Sequence, residues 1–263
     1  MTSSLQVNAV SVTAGGDTPL LEEVSLTVKP GEFVGIVGAN GAGKTTLLRA
    51  ILGLVRPSAG DVNLMGKDAQ SLSGRERAAH LAWLPQKGAV WEPLSVLDFV
   101  IASRFRFDET RKEALSACRQ ALAEVDALEF AGRRITSLSG GEAQRVSMAA
   151  LFAQEATFLL LDEPANHLDP AHQRRAYAYL AEKWRAGHGV ICVTHDLNLL
   201  GSIASTAETP SIRILGLESG RVSFETTLDS PTLADALSAM YGVSFRTVNV
   251  DGERHLVVTG APS

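Results

Sequence analysis

The chain has 263 residues, and 45% of them are hydrophobic, which suffices for one large α/β domain or two modest ones and argues against disorder. Its 24 basic and 29 acidic residues give a net charge of −5, which disfavours broad non-specific binding to nucleic acid, so no nucleic-acid partner is expected. The two cysteines, Cys118 and Cys192, lie far apart without metal-type spacing, so they predict apolar filler in a reducing compartment and no disulfide framework.

Membrane and export signals are not expected in this sequence. No uninterrupted apolar run of about 18 residues occurs, so no transmembrane helix is predicted. Residues 1–4 show no basic region followed by an apolar stretch, so no signal peptide is predicted either. We therefore expect the chain itself to be soluble and cytoplasmic.

The first 37 residues predict β-strands. Apolar Val7, Val10 and Val12 indicate a strand, and Gly15, Gly16 and Asp17 predict the turn that follows it. A second strand around residues 26–28 is closed by Lys-Pro-Gly at 29–31, and a third, apolar strand occupies residues 33–37.

Residues 38–46, the phosphate loop, read GANGAGKTT and fit a phosphate-binding template between a strand and a helix at 46–52. Backbone N–H groups of such a turn converge at the positive end of the helix dipole and bind phosphate. Lys44 is expected to reach the β- and γ-phosphates, and Thr45 to ligate Mg²⁺. A glycine-rich turn that binds nothing is the alternative, which the strand and helix context disfavours. Nucleotide binding is assigned to Gly38, Asn40, Gly41, Ala42, Gly43, Lys44, Thr45 and Thr46.

The middle of the chain changes from strands to helices and back. Strands are predicted at residues 60–67 and 82–86, and residues 94–157 are mostly helical, with a polar connection at 104–110. Strands return at 158–161 and 189–193, separated by a helix over about 170–186. This order predicts a parallel sheet flanked by helices, with a helical insertion after Gln86.

Two further segments can carry chemistry. Residues 158–163 read FLLLDE, a buried strand that delivers Asp162 and Glu163 to the edge where ligands bind in parallel sheets. These acids suit Mg²⁺ binding and water activation, although alone they could be an ordinary acidic turn. The signature segment, residues 138–145, reads LSGGEAQR, in which Ser139 and Glu142 match a capping box. Its bare N–H groups could bind phosphate, and an ordinary capped helix is the alternative.

The last 34 residues predict a helix and a hairpin. Ser230 followed by Pro231 predicts an N-cap and the first helical position of a helix that runs to about Met240. Strands at 245–250 and 253–258 flank Asp-Gly at 251–252, a strong hairpin signal.

Six motifs in their order resemble those of ABC-transporter ATPases. They are the phosphate loop, a glutamine loop at Gln86, the signature segment, the Asp-Glu strand end, a D-loop at 165–169 (ANHLD) and a switch segment at 193–196 (VTHD). The resemblance covers essentially the whole chain. It implies an α/β fold: a P-loop NTPase core with a mainly parallel sheet, an N-terminal antiparallel β subdomain and an inserted α-helical subdomain.

The resemblance also implies how the chain is divided. A single ABC ATPase domain is expected over residues 1–263. The nucleotide-binding core with its β subdomain takes residues 1–86 and 158–229. The helical subdomain takes 87–157, and the C-terminal helix and hairpin take 230–263.

Roles for single residues follow from the same resemblance. Glu163 is implied as the catalytic base, and His195 as the residue that holds Glu163 and the γ-phosphate in register. Gln86 is implied to touch Mg²⁺ or the attacking water, and Asp162 to hold Mg²⁺ with Thr45. His167 and His172 lack such support and are expected to be surface or D-loop residues.

Members of the resembled family close head to tail around ATP. Ser139, Gly140 and Gly141 of one subunit are then implied to complete the ATP site of the other, with Asp169 communicating between sites. One chain holds one motif set, so a second copy is needed, most simply in a homodimer. Integral membrane permease subunits are further implied partners, with a substrate-binding protein acting indirectly, at the cytoplasmic face of the membrane.

Two departures from the family pattern stand out. Residues 13–16, Thr-Ala-Gly-Gly, lack the aromatic side chain that often stacks on adenine there, so adenine stacking is not predicted. Asn166 and His167 replace the commoner small residues of the D-loop, a change that is not expected to abolish hydrolysis.

The C-terminal pattern indicates a transport task. Met240-Tyr241-Gly242 and the hairpin resemble the end of ATPases that serve iron-siderophore, haem and vitamin B12 importers, and the regulatory barrel of sugar importers is not seen. An export or lipid-trafficking ATPase and a soluble ATPase of iron–sulfur cluster assembly stay open as alternatives. Chromosome-maintenance relatives need a coiled-coil insertion, and translation-associated relatives usually carry two motif sets.

Overall fold

The computed structural model describes residues 4–15, 18–86, 94–166, 168–204, 211–250 and 253–260. Within them, no helix has the length and apolar character needed to cross a bilayer. The strands are β1 (Leu5–Thr13), β2 (Pro19–Val28), β3 (Phe33–Val37), β4 (Ala59–Leu64), β5 (Lys67–Asp68), β6 (Leu81–Leu84), β7 (Phe158–Asp162), β8 (Gly189–Val193), β9 (Arg213–Glu218), β10 (Arg221–Thr227), β11 (Phe245–Val250) and β12 (Glu253–Val258). The helices are α1 (Lys44–Ile51), α2 (Gly74–His80), α3 (Val96–Ala102), α4 (Arg111–Glu124), α5 (Gly140–Ala153), α6 (Pro170–Arg185), α7 (Leu197–Ala204) and α8 (Leu233–Tyr241).

A six-stranded sheet with the order β10-β9-β3-β8-β7-β6 forms the centre of the molecule. Neighbours from β9 to β6 are parallel, and only β10 pairs antiparallel, with β9. Every residue of β3, β7 and β8 is buried, as expected for parallel strands covered on both faces. The predicted parallel sheet is confirmed, and it brings the ends of β3, β7 and β8 to one edge.

A second sheet, with the order β2-β1-β4-β5, is antiparallel throughout. The single strand expected over residues 60–67 is wrong, because β4 and β5 are joined by a tight turn. Met65 and Gly66 have φ angles of 54° and 82°, and two consecutive positive values make the kind of turn that reverses a strand. The turn predicted at Gly16 and Asp17 lies outside the described residues.

Helices α3, α4 and α5 follow Gln86 and pack on one another, in agreement with the predicted helical insertion. The connection at 104–110 contains a buried charged residue, which its polar sequence did not predict. Arg104 is buried, and its guanidinium contacts Glu109 and Glu155 at 2.7 Å each and the carbonyl of Ala153. A buried cation needs such pairing, so this connection locks α3 to the end of α5.

The C-terminal segment, residues 230–260, contains α8 and the hairpin β11–β12. The predicted helix start is wrong: α8 begins at Leu233, because the Ser230 hydroxyl accepts from Thr232 N–H and forms a turn that delays the helix. Residues 251–252 lie outside the described residues, but β11 and β12 pair antiparallel up to Val250 and Glu253, which confirms the hairpin.

Candidate nucleotide-binding and catalytic site

The phosphate loop leaves β3 and enters α1, as its sequence predicts. Gly43 has a φ of 101°, and a Cβ there would lie 2.7 Å from the carbonyl oxygen of Leu20, so the back of the loop accepts glycine alone. Gly41 has a φ of 82°, and a Cβ there would meet nothing within 4 Å. The loop is therefore packed on one side and open on the other, where a phosphate group can approach the backbone.

Lys44 begins α1 and curls back over the phosphate loop. Its ammonium group donates to the carbonyl oxygens of Gly38 at 2.7 Å and Ala39 at 3.0 Å. Burial lowers the pKa of Lys44, and the nearby carboxylates of Glu163 and Asp162 oppose that shift. The cation is thus already positioned at the loop by these two carbonyls.

Thr45 and Asp162 meet between α1 and the end of β7. The Thr45 hydroxyl donates to an Asp162 carboxylate oxygen at 2.7 Å. Burial raises the pKa of Asp162, and this hydrogen bond opposes the shift. Mg²⁺ prefers hard oxygen ligands and usually keeps phosphate and water among them. The described residues hold no group of three or more His, Cys, Asp or Glu that could hold a metal ion. The oxygen atoms of Thr45 and Asp162 are ligands of the kind that Mg²⁺ prefers.

The Glu163 carboxylate is held at three points. Gln86 and Asn166 donate side-chain amide hydrogens to its Oε2 atom at 2.7 and 2.8 Å, and His195 Nε2 lies 2.7 Å from Oε1. Glu163 has a φ of 53°, an unfavourable value for a non-glycine residue, held by its N–H bond to the carbonyl of Val193. Strained backbone and converging donors at the carboxyl ends of three strands are typical of a catalytic group.

The switch segment that carries His195 is fixed from below. The Thr194 backbone N–H donates to the carbonyl oxygen of Ile36. The Thr194 hydroxyl accepts from the Tyr177 hydroxyl at 2.8 Å and from the Asp196 N–H at 3.1 Å. Tyr177 is fully buried on α6. Sequence reasoning missed both Tyr177 and Asn166 as supports of the site; Asn166 was noted only as a departure from the D-loop pattern.

The signature segment begins α5 with the predicted capping box. The Ser139 hydroxyl accepts from the Glu142 N–H, and the Glu142 carboxylate accepts from the Ser139 N–H at 2.7 Å. These bonds, supported by Arg133, lower the pKa of Glu142 to about 2. The cap therefore keeps its charge at any physiological pH.

Of the D-loop residues singled out from the sequence, the structure describes Asn166 and Asp169. Asp169 caps α6, and its carboxylate lies 2.6 Å from His172 Nδ1. A Cβ on Gly141 would lie 3.0 Å from the His172 ring, so His172 packs against the signature segment. His167 lies outside the described residues.

The predicted site residues therefore fall into two groups. The ends of β3, β7 and β8 bring together the phosphate loop, Asp162, Glu163 and His195, with Gln86. Ser139, Gly140, Gly141 and Asp169 form the second group, and among the described residues no hydrogen bond or ion pair connects them to the phosphate loop.

Comparisons with known proteins agree on one family. The family model described as "ABC transporter" matches residues 21–166. The hemin import ATP-binding protein of Pseudomonas entomophila is 37% identical over 233 residues, which cover 87% of this chain and 89% of the relative. The manganese transport system ATP-binding protein of Bacillus subtilis is 35% identical over 230 residues, which cover 85% of this chain and 87% of the relative.

Solved structures share the fold. A chain of a metal-chelate type ABC transporter in an inward-facing conformation superposes with a TM-score of 0.81 at 23% identity, covering 99% of this chain and 98% of its own. A dimeric bacterial ABC transporter cassette superposes with a TM-score of 0.75 at 26% identity, covering 86% of this chain and 99% of its own.

Proposed function

The chain belongs to the ABC transporter family of ATP-binding proteins, and from this premise we propose that it is the ATP-hydrolysing subunit of an importer for a metal chelate: an iron–siderophore complex, hemin or cobalamin. The observation that carries the hydrolytic part is the Glu163 carboxylate, held by Gln86, Asn166 and His195 beside the phosphate loop. We assign residues 1–86 and 158–229 to the nucleotide-binding core, 87–157 to the helical subdomain, and 230–263 to the C-terminal helix and hairpin.

Within the site, the loop residues hold the phosphates of ATP. Backbone N–H groups between Asn40 and Thr46 and the Lys44 ammonium bind the phosphate oxygens, replacing the carbonyl contacts that Lys44 makes now. Thr45 and Asp162 would hold Mg²⁺, with Gln86 beside them; the ion neutralises charge on the phosphates when bound. The Thr45 hydroxyl oxygen and an Asp162 carboxylate oxygen lie 2.7 Å apart, and both are hard ligands of the kind that Mg²⁺ prefers, which supports this assignment.

Glu163 is assigned as the general base. Its Oε2 atom accepts two amide hydrogens, so the Oε1 atom beside His195 is the oxygen with room for the proton of an attacking water. His195 then holds the carboxylate and the γ-phosphate in register.

We further propose a head-to-tail homodimer. Ser139, Gly140 and Gly141 lack any polar bond to the phosphate loop of their own chain among the described residues, yet Gly140 and Gly141 lie in the first turn of α5, where N–H groups have no partner within the helix. In a head-to-tail pair they would complete the site of the second copy, with Asp169 between the two sites. The dimeric cassette of similar fold supports such a pair.

The import task follows from the relatives. Proteins named for hemin import match this chain at 35–40% identity in Pseudomonas and Bordetella species. On this basis the chain lies at the cytoplasmic face of the membrane, bound to separate permease subunits that receive cargo from a substrate-binding protein. Manganese is a second candidate cargo, because a manganese transport ATPase is 35% identical.

The test is purification of a tagged copy from its native cell in mild detergent. A multi-span membrane protein in stoichiometric amount is expected, and the complex in proteoliposomes should take up hemin, a ferric siderophore or cobalamin in an ATP-dependent manner. A Lys44→Ala complex should bind the membrane partner and transport nothing. Uptake of Mn²⁺ and of none of these chelates would identify the cargo as the metal ion instead of a metal chelate. A soluble partner without a membrane protein would overturn the importer and leave the ATPase.

A further inference from the structure

The phosphate loop is bonded to the C-terminal end of the chain. The backbone N–H of Gly38, the first residue of the loop, donates to the hydroxyl oxygen of Tyr241 at 3.0 Å across 203 residues of sequence. Gly38 follows the last residue of β3, so this bond lies where the buried strand gives way to the loop. The N–H has a partner only as long as the Tyr241 hydroxyl stays in place.

Tyr241 is itself fixed by the C-terminal segment. It is the last residue of α8, which ends at Gly242 with a φ of 66°. Its ring lies 5.8 Å from the ring of Phe245, and the Phe245 N–H donates to the Ser238 hydroxyl at 2.8 Å. Burial raises the pKa of Tyr241, against a smaller lowering by the Gly38 N–H, so the phenol is neutral. The hydroxyl is therefore an uncharged and well-placed acceptor.

The same segment is bonded to the helix that follows the switch segment. Asn198, three residues after His195, donates its amide to the carbonyl of Leu256 at 3.1 Å and accepts from the Leu256 N–H at 2.8 Å. This pair ties β12 to α7. A cavity of about 700 Å³ lies between the switch segment and the hairpin, lined by His195, Tyr241 and Phe245 among others. Tyr241 lines this cavity, and its hydroxyl makes the hydrogen bond between the C-terminal segment and the phosphate loop.

We propose that Tyr241 is a positioning residue for the nucleotide site, through which the C-terminal segment holds the phosphate loop in its ATP-binding conformation. The inference goes beyond the proposed transport task and rests on the nucleotide site proposed above. An anchored loop is preorganised, whereas a loop that samples other conformations binds with an affinity reduced by its competent fraction. The effect therefore falls on ATP affinity and leaves the chemical step, which depends on Glu163, nearly unchanged.

The test compares two tyrosine-to-phenylalanine variants. Tyr241→Phe keeps the ring against Phe245 and removes only the hydroxyl. Tyr179→Phe is the control, because Tyr179 is buried and its hydroxyl bonds to Asp126, away from the phosphate loop. Dissociation constants for ATP, KM and kcat are measured with the full chain, and Tm is recorded for both variants. We expect Tyr241→Phe to raise Kd and KM by about three- to tenfold, the effect of one hydrogen bond, with kcat within about twofold.

Each other result has a defined meaning. Unchanged Kd and KM in Tyr241→Phe would overturn the inference. An equal rise of Kd in both variants would overturn it too, because general loss of stability would then explain the effect. The wild-type chain and Lys44→Ala keep the two proposals apart. Failure of the wild type to bind ATP would reject the nucleotide site, and this inference with it, whereas wild-type binding that Lys44→Ala abolishes leaves the site standing whatever Tyr241→Phe does.

Discussion

Single side chains decide how the Glu163 carboxylate is presented. Its Oε2 atom accepts from Gln86 and from Asn166, which lies in the D-loop, and Oε1 faces His195. Gln86 and His195 were expected near the site from the motifs. The Asn166 contact was not predicted, because it depends on the turn after β7, in which Glu163 has a φ of 53° and the Asn166 N–H donates to the Glu163 carbonyl oxygen.

Replacing Asn166 by alanine should slow hydrolysis without weakening ATP binding. The amide contacts the carboxylate of the proposed base, Glu163, at 2.8 Å, and among the described residues it makes no bond to the phosphate loop, so kcat should fall by about three- to tenfold while KM changes less than about twofold. Asn8→Ala is the matched control, since the Asn8 amide donates to the Asp61 carboxylate at 2.9 Å on the antiparallel sheet. Steady-state ATPase kinetics of both variants decide the matter. A kcat equal to wild type in Asn166→Ala would remove Asn166 from the positioning of Glu163.

At the level of helices and strands, two capping boxes allow a direct comparison. Ser139 with Glu142 begins α5, and Thr110 with Glu113 begins α4 in the same geometry. Loss of the cap hydroxyl should lower the free energy of unfolding by roughly 1 kcal/mol in Ser139→Ala and in Thr110→Ala alike, as urea titrations would show. Because Ser139 alone belongs to the signature segment, ATPase activity should fall in Ser139→Ala and stay near wild type in Thr110→Ala. Equal activity in the two variants would reduce Ser139 to an ordinary cap.

Elements with a strong local sequence pattern could be predicted. A helix boundary that depends on which of two local hydrogen-bond arrangements forms could not. Strands β3 and β8 are apolar runs that occupy the residues predicted for them, and β7 is apolar up to Leu161. The start of α8 was misplaced by two residues, because the Ser230 hydroxyl can cap a helix or close a turn, and it closes a turn. Burial of Arg104 was not predicted from the sequence, since one of its two carboxylate partners, Glu155, lies 51 residues away.

At the scale of the whole molecule, the separation of the two motif groups limits how a complete nucleotide site can form. The motifs at the ends of β3, β7 and β8 meet at one edge of the sheet within the chain, the proposed phosphate-binding and catalytic edge. The signature segment starts a helix of the insertion and has no polar bond to that edge among the described residues. The single motif set in the sequence predicts that a second copy is needed, but the surfaces that would meet depend on tertiary packing, which the sequence pattern does not specify.

Glu163→Gln should trap the proposed head-to-tail pair of chains. The glutamine side chain has nearly the shape of the carboxylate and keeps one oxygen that can accept from Gln86 or Asn166, but it cannot take the proton of the attacking water. ATP should then stay bound, and light scattering after size-exclusion chromatography should give about twice the monomer mass of 27.9 kDa in the presence of ATP. The double variant Lys44→Ala/Glu163→Gln is the control and should stay monomeric, because it lacks the cation that holds the phosphates. If Glu163→Gln hydrolyses ATP at the wild-type rate, Glu163 is not the base; if it binds ATP and stays monomeric, the head-to-tail homodimer is wrong.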